Sequence, residues 1–251
     1  MISGEFDLSI GSLIGFSSMS LTLLTVETNL TMPVASLITL IMVLIIGYYN
    51  GITVVKSGLP SFIITLGSLF MIRGFTIAIS KIITGRTQIG GIEESKGFNI
   101  MSSVFSNHLT IAGTNFPISI FWWMLFGVLG YFLLKHTQFG NWIFATGASQ
   151  ESAKLMGIPV QKVKISLFML TAFCSWFIAV TQVTTFGGAD VLRGEQKEFI
   201  AIIAVVIGGT LLTGGYGSII GAMIGALIFG IVKQGIIFAG VDADWFQVFM
   251  G

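Results

Sequence analysis

Residues that could carry catalysis are few in this chain, and their spacing gives them no shared task. The two histidines, His108 and His136, fall in different loops. No HExxH, CxxC or Walker-type phosphate loop accompanies them. The lone Cys174 lies inside an apolar run, so disulfides and cysteine-ligated metals are not expected. Serine and threonine are plentiful but have no base beside them, which makes them contacts between helices and not nucleophiles. Three charged residues carry more information. Arg73 sits within an apolar run and needs a carboxylate, a water-filled space or a nearby interface to snorkel to. Lys233, close to the end of its own run, reads the same way. Asp7, followed by Ser9 where a run begins, suits the free amides and positive dipole of a helix start. No His, Asp or Glu lies deep within a well-formed run, which weakens a proton-relay reading.

The elements that position these residues are membrane spans. Apolar residues make up 54% of the chain and charged residues 9%, whereas a soluble domain carries about 25% charged residues. The expected fold is therefore an all-α, polytopic transmembrane bundle. A net charge of +1 gives no basic field for nucleic acid. The start, MISGEFDLSIGS, is polar and acidic, without the basic-then-apolar order of a signal peptide.

Seven apolar runs are expected to form spans: Leu8–Val26, Met32–Tyr49, Leu59–Ile83, Phe116–Leu134, Ile165–Val183, Phe199–Leu212 and Ser218–Ala239. A bilayer core of ~30 Å takes about 20 helical residues. Phe199–Leu212 falls short of that and reads as half of a broken helix. Lysines set the orientation: Lys135, Lys154, Lys162 and Lys164 share one loop, and Lys56 lies two crossings earlier, so both loops face the cytoplasm. The opposite loops hold Arg86 and Lys96 with Glu93 and Glu94, then Arg193 and Lys197 with Asp190, Glu195 and Glu198, then Asp242 and Asp244. His108 and His136 thereby fall on opposite sides, which denies them a common site.

Glycines divide into two groups. Gly217, Gly221 and Gly225 recur every four residues, the spacing that lets helix backbones approach closely. Gly208, Gly209, Gly214 and Gly215 flank Thr210 and Thr213 in pairs. Such pairs break a helix and expose backbone polar groups, so they either line a translocation path or gate, or form a tight turn at the cytoplasmic end of the short span.

The cytoplasmic segment 135–164 is long enough to hold a short helix. Ser149 is a good N-cap, Glu151 falls in the first turn and Lys154 late, and Gly157 and Pro159 stop the run. Ala153, Leu155 and Met156 give this helix an apolar portion that suits either a groove in a partner protein or the surface of its own membrane.

The strings EFDLSIGS (Glu5–Ser12), PSFIITLGSLFMIRG (Pro60–Gly74), TQFGNWIFATGASQESAKLMGI (Thr137–Ile158) and EFIAIIAVVIGGTLLTGGYGSIIGAMIGALIFG (Glu198–Gly230) resemble, in order and spacing, permease subunits of bacterial ABC importers for ribose, xylose and related monosaccharides. Branched-chain amino acid permeases share the wider superfamily, and the pairing of DLSIG with GGTLLTGGYGS is similar to the sugar branch. The resemblance implies a non-enzymatic subunit of the bacterial inner membrane that binds no cofactor itself. It also implies cytoplasmic ABC ATPase subunits that hold the ATP, a periplasmic or lipid-anchored sugar-binding protein, and a second permease copy or paralogue. The family's ATPase-coupling helix matches Gly147, Ala148, Ser149, Gln150, Glu151, Ser152, Ala153, Lys154, Leu155, Met156 and Gly157. Relatives carry further hydrophobic segments before DLSIG and another span after DADWFQVFMG, so residues 1–251 are expected to be one permease domain lacking helices at both ends. An amino-acid or other small-solute ABC permease is the alternative within the superfamily. An ATP-independent uniporter or channel-like pore is the alternative outside it, and such a pore would have no use for a docking loop.

Overall fold

The computed structural model describes residues 1–111, 113–240 and 248, so Asp242 and Asp244 lie outside the described residues. In chain order the elements are α1 (Ile10–Val26), α2 (Met32–Ser57), α3 (Ser61–Thr84), β1 (Gln88–Gly90), a 3-10 turn (Ile92–Glu94), α4 (Phe98–Phe105), β2 (His108–Ile111), β3 (Thr114–Pro117), α5 (Ile118–His136), α6 (Gln138–Ala148), α7 (Gln150–Leu155), α8 (Val160–Phe186), β4 (Gly188–Asp190), α9 (Lys197–Ile207) and α10 (Ile219–Phe238). Each of the seven apolar runs contains a helix, although α9 ends at Ile207, short of Leu212, and α5 begins only after β3. Among the described residues five helices, α2, α3, α5, α8 and α10, are long and apolar enough to cross a membrane. The protein is an all-α polytopic membrane bundle, with α1 and α9 too short to span by themselves.

Several helices outgrow their apolar runs, and α5 continues to His136, so Lys135 and His136 lie in its last turn and not in a loop. α2 continues through Lys56 to Ser57, and α8 starts at Val160, so Lys56, Lys162 and Lys164 sit on helix ends and not in loops. A cation in the last turn of α2 complements the dipole there, and left-handed Gly58 ends the helix.

The chain forms two compact units. One comprises residues 6–125 and 161–198. Its centre is α1, whose Leu13, Ile14, Met19 and Leu21 are fully buried. A helix that is apolar all round belongs inside protein, and one that meets no lipid need not match the bilayer's thickness. α1 runs parallel to α3, because Phe6 N donates to Ser61 Oγ (2.9 Å), Leu8 N to Thr65 Oγ1 (3.0 Å) and Ser80 Oγ to Met19 Sδ (3.6 Å). α2 meets α8 through Gly47 and Gly51: a Cβ at Gly47 would lie 2.8 Å from the Phe168 carbonyl oxygen, and one at Gly51 would lie 2.9 Å from Ile165 Cα. Trp176 Nε1 on α8 donates to the Ser36 carbonyl of α2 (3.0 Å). β1 pairs antiparallel with β4, and β2 with β3. Strands of three or four residues carry too little pattern to be read from sequence.

The other unit comprises residues 1–5, 126–160 and 199–251. Here α9 and α10 are antiparallel and pack backbone to backbone. A Cβ at Gly221 would lie 2.1 Å from the Gly208 carbonyl oxygen, and one at Gly225 would lie 2.0 Å from that of Ala204. α5 closes on the same helix, with Gly127 against Met223 and Gly130 against Ile219. Gly217 is not part of α10, which begins after its N-cap Ser218; it packs instead against Thr210 and Ile2.

Candidate functional site

Segment 135–164 holds two helices where one was expected. α6 is capped by Thr137, whose Oγ1 accepts from Gly140 N (3.1 Å), and it takes in Gly147 and Ala148. α7 follows after the single residue Ser149. Ser149 Oγ accepts from Ser152 N (3.2 Å), and Glu151 and Lys154 fall in the first and last turns. At the far end Gly157 is left-handed (φ 78°), its N–H donates to the Lys154 carbonyl (3.0 Å), and Ile158 N donates to the Ala153 carbonyl (3.0 Å). That pair of bonds is a Schellman closure. Six residues cannot hold a helix by propagation alone, so the two caps must supply the order.

Ala153 is buried, whereas Leu155 is 90% exposed and Met156 68%. α7 is thus pinned by one small residue and presents two large apolar side chains outward. Replacing Ser149 with alanine removes a cap worth about 1 kcal/mol. Amide exchange across 150–155 is expected to accelerate roughly fivefold; unchanged exchange would show that Ser149 does not hold the helix.

The residues between α9 and α10 close into a compact turn. Thr210 N donates to the Val205 carbonyl (3.0 Å), Leu211 N to Tyr216 (3.2 Å) and Gly214 N to Leu211 (3.2 Å). Gly209, Gly214 and Gly215 take positive φ, where a side chain would be strained. Thr210 is buried and Thr213 exposed. The turn is joined to α6. Gly215 N donates to the Ile2 carbonyl (2.8 Å), and a Cβ at Gly147 would lie 1.8 Å from that same oxygen and 2.6 Å from Gly215 N. A Cβ at Gly214 would lie 2.7 Å from Gly4 N and 3.2 Å from the Gly147 carbonyl oxygen. The glycine turn and the end of α6, far apart in sequence, therefore share one backbone contact, with Ile2–Gly4 as the third party. Ile2 and Gly4 carry no signal that sequence reasoning could have used.

In the other unit, Asp7 does less capping and more bridging than its position suggested. Its Oδ1 accepts from Ser9 N (3.0 Å) and Ser9 Oγ (2.5 Å), and its Oδ2 from Thr171 Oγ1 on α8 (2.5 Å). Ser9 Oγ in turn accepts from Asn50 Nδ2 on α2 (3.1 Å), and Asn50 Oδ1 accepts from Ser68 Oγ on α3 (2.8 Å). One carboxylate thus ties the approach to α1 to three helices. Arg73 finds the carboxylate it needs in Glu195, with Nη1 to Oε1 at 3.2 Å. Glu195 was expected in a loop, and it lies in the non-helical stretch between β4 and α9.

The chain matches, over residues 1–251, the family described as branched-chain amino acid transport system / permease component. The autoinducer 2 import system permease protein LsrD of Photorhabdus laumondii is 34% identical over 97% of this chain and 71% of its own length. LsrD of Escherichia coli O9:H4 is 34% identical over 96% and 71%, and that of Salmonella typhimurium 30% identical over 96% and 70%. No solved structure matches the chain. Five membrane-length apolar helices among the described residues and a family match along the whole chain lead to one conclusion: this chain belongs to the branched-chain amino acid transport system / permease component family, as a multi-pass, non-enzymatic membrane subunit of bacterial ABC importers.

Proposed function

We propose that this chain is the sugar-branch permease of such an importer, carrying a monosaccharide of the ribose, xylose or fructose kind, or the sugar-like autoinducer 2, across the inner membrane as one domain. The observation that carries this reading is the whole-chain likeness to permeases named for autoinducer 2 import, together with an α7 that offers Leu155 and Met156 outward. In this reading α7, within Gly147–Gly157, docks in a groove of a cytoplasmic ABC ATPase, which binds the ATP. A periplasmic or lipid-anchored binding protein delivers the solute, and a second permease copy or paralogue completes the path. The chain itself holds no cofactor.

Gly147 lies on α6 against Gly214 and Gly215, so a push on α7 reaches the turn joining α9 to α10. Gly208, Gly209, Thr210, Thr213, Gly214 and Gly215 then act as a gate that moves with the ATPase. The test is the complete importer in proteoliposomes. Glu151→Lys reverses the charge in the first turn of α7, and Gly157→Val strains the left-handed closure. Each is expected to lower sugar uptake per ATP hydrolysed by about tenfold while the protein still inserts. Normal uptake and normal ATPase stimulation in both variants would defeat the docking assignment, and uptake by wild type without ATP would favour a channel-like pore.

A further inference from the structure

We propose that Arg73, Glu195 and Glu198 form a hydroxyl-binding site for the carried solute near the middle of the bilayer. The proposal rests on the sugar-import reading. Depth comes first. Arg73 lies at the midpoint of α3, a 24-residue helix, ~18 Å from Ser61. Because α1 is in parallel register with α3, positions on α1 report depth as well.

The chain after β4 descends along α1 without forming a helix. A Cβ at Gly15 would lie 2.5 Å from the Val191 carbonyl oxygen, and one at Gly11 would lie 2.4 Å from that of Gly194 and 2.1 Å from Glu198 Oε2. α9 starts only at Lys197. Non-helical backbone at membrane depth is tolerated where protein or water surrounds it, not lipid.

The charges point the same way. Arg73 and Glu195 pair at 3.2 Å, yet their side chains are 19% and 47% exposed. An open ion pair halfway along a spanning helix is too costly against hydrocarbon, which leaves a water-filled path or the interior of the assembly for its open side. Behind it Glu198 is 3% exposed, and its Oε2 has no hydrogen-bond partner. A buried carboxylate oxygen left unpaired calls for a functional explanation.

The groups select the ligand class. Guanidinium offers only donors and carboxylate only acceptors, while each sugar hydroxyl donates and accepts. A polyol can therefore engage both ends at once. A zwitterionic amino acid must separate the Arg73–Glu195 pair to place its carboxylate on the guanidinium, whereas a hydroxyl can bond both partners without separating them. A bare cation would face the guanidinium. Among the described residues no three His, Cys, Asp or Glu side chains gather as a metal site.

The test uses the complete importer in proteoliposomes. Ribose, xylose, fructose, autoinducer 2 and leucine are offered first, and the solute carried is then compared with its monodeoxy analogues. Each is delivered by saturated binding protein, so that protein's own preference drops out. Wild type should carry at least one deoxy analogue about tenfold more slowly than the parent, since a site built to bond a hydroxyl rejects its absence. Glu198→Gln and Arg73→Lys should shrink that ratio toward one. The double variant Arg73→Glu with Glu195→Arg should restore membrane abundance but not discrimination. A ratio unchanged in all variants, or a swap that restores discrimination fully, overturns the site while leaving the transport reading intact. Uptake of leucine alone, or of none of the probes, overturns the sugar reading and the site with it.

Discussion

Gly147→Val is expected to abolish coupled transport while leaving the permease in the membrane. The physical reason is a lack of room on a backbone. The Cβ would fall 1.8 Å from the Ile2 carbonyl oxygen and 2.6 Å from Gly215 N, and no side-chain rotamer can relieve a clash between main-chain atoms. Either α6 retreats from the glycine turn or the hydrogen bond from Gly215 to Ile2 breaks. Overpacking of this kind costs about 1–3 kcal/mol locally, and a shift of that size in a two-state element moves its population roughly 5- to 150-fold. Uptake should fall by at least tenfold, with ATP hydrolysis persisting. Gly230→Ala supplies the contrast. That glycine is on α10 with open space around its Cα, and alanine there raises helix propensity. Uptake in Gly230→Ala should match wild type. If Gly147→Val also transports normally, the contact between α6 and the turn does not transmit motion.

Asp7→Ala is expected to cause the second large loss, in stability. The substitution leaves Ser9 N–H and Ser9 Oγ without their acceptor, and Thr171 keeps only its bond to the Phe168 carbonyl (2.9 Å). Each buried donor left unpaired costs about 1–3 kcal/mol. The damage should spread, because Ser9 is also the acceptor for Asn50, which holds Ser68 on α3. The detergent-purified protein should lose roughly 5–10 °C in thermal midpoint, at about 2–4 °C per kcal/mol for a chain of this size. Asp7→Asn keeps one acceptor oxygen and should lose less than half as much. Equal midpoints for Asp7→Ala and wild type would mean the network contributes nothing to stability.

How much of this was legible in the sequence depends on the range of the interaction. The seven helices follow from runs of apolar residues, and α7 from Ser149, Glu151, Lys154, Gly157 and Pro159 lying within ten residues of one another. Caps and dipole interactions act across one turn, so spacing alone reveals them. α6 was not anticipated: one short helix was expected in segment 135–164, and glycines at 140 and 147 lie within this additional one. Packed against the Leu134 carbonyl and Ile2, they are places where only glycine fits.

The partners of the charged residues could not be read at all. Arg73 announced a need for a carboxylate, but nothing local distinguishes Glu195 from Glu93, Glu94 or Glu198. Asp7 looked like a cap because its nearest neighbours in sequence are a helix start. Thr171, which it also holds, is 164 residues away.

The sequence by itself determined that this is a polytopic helical membrane protein and where a short capped helix interrupts the long apolar runs. These are properties of composition and of contacts within a turn. Only the tertiary structure decided that Gly147 meets Gly215, that α1 is buried on every side, and that the non-helical stretch after β4 brings Glu195 to Arg73. Those facts depend on which helices pack together, and a glycine or a carboxylate carries no mark of the distant atom that will lie beside it.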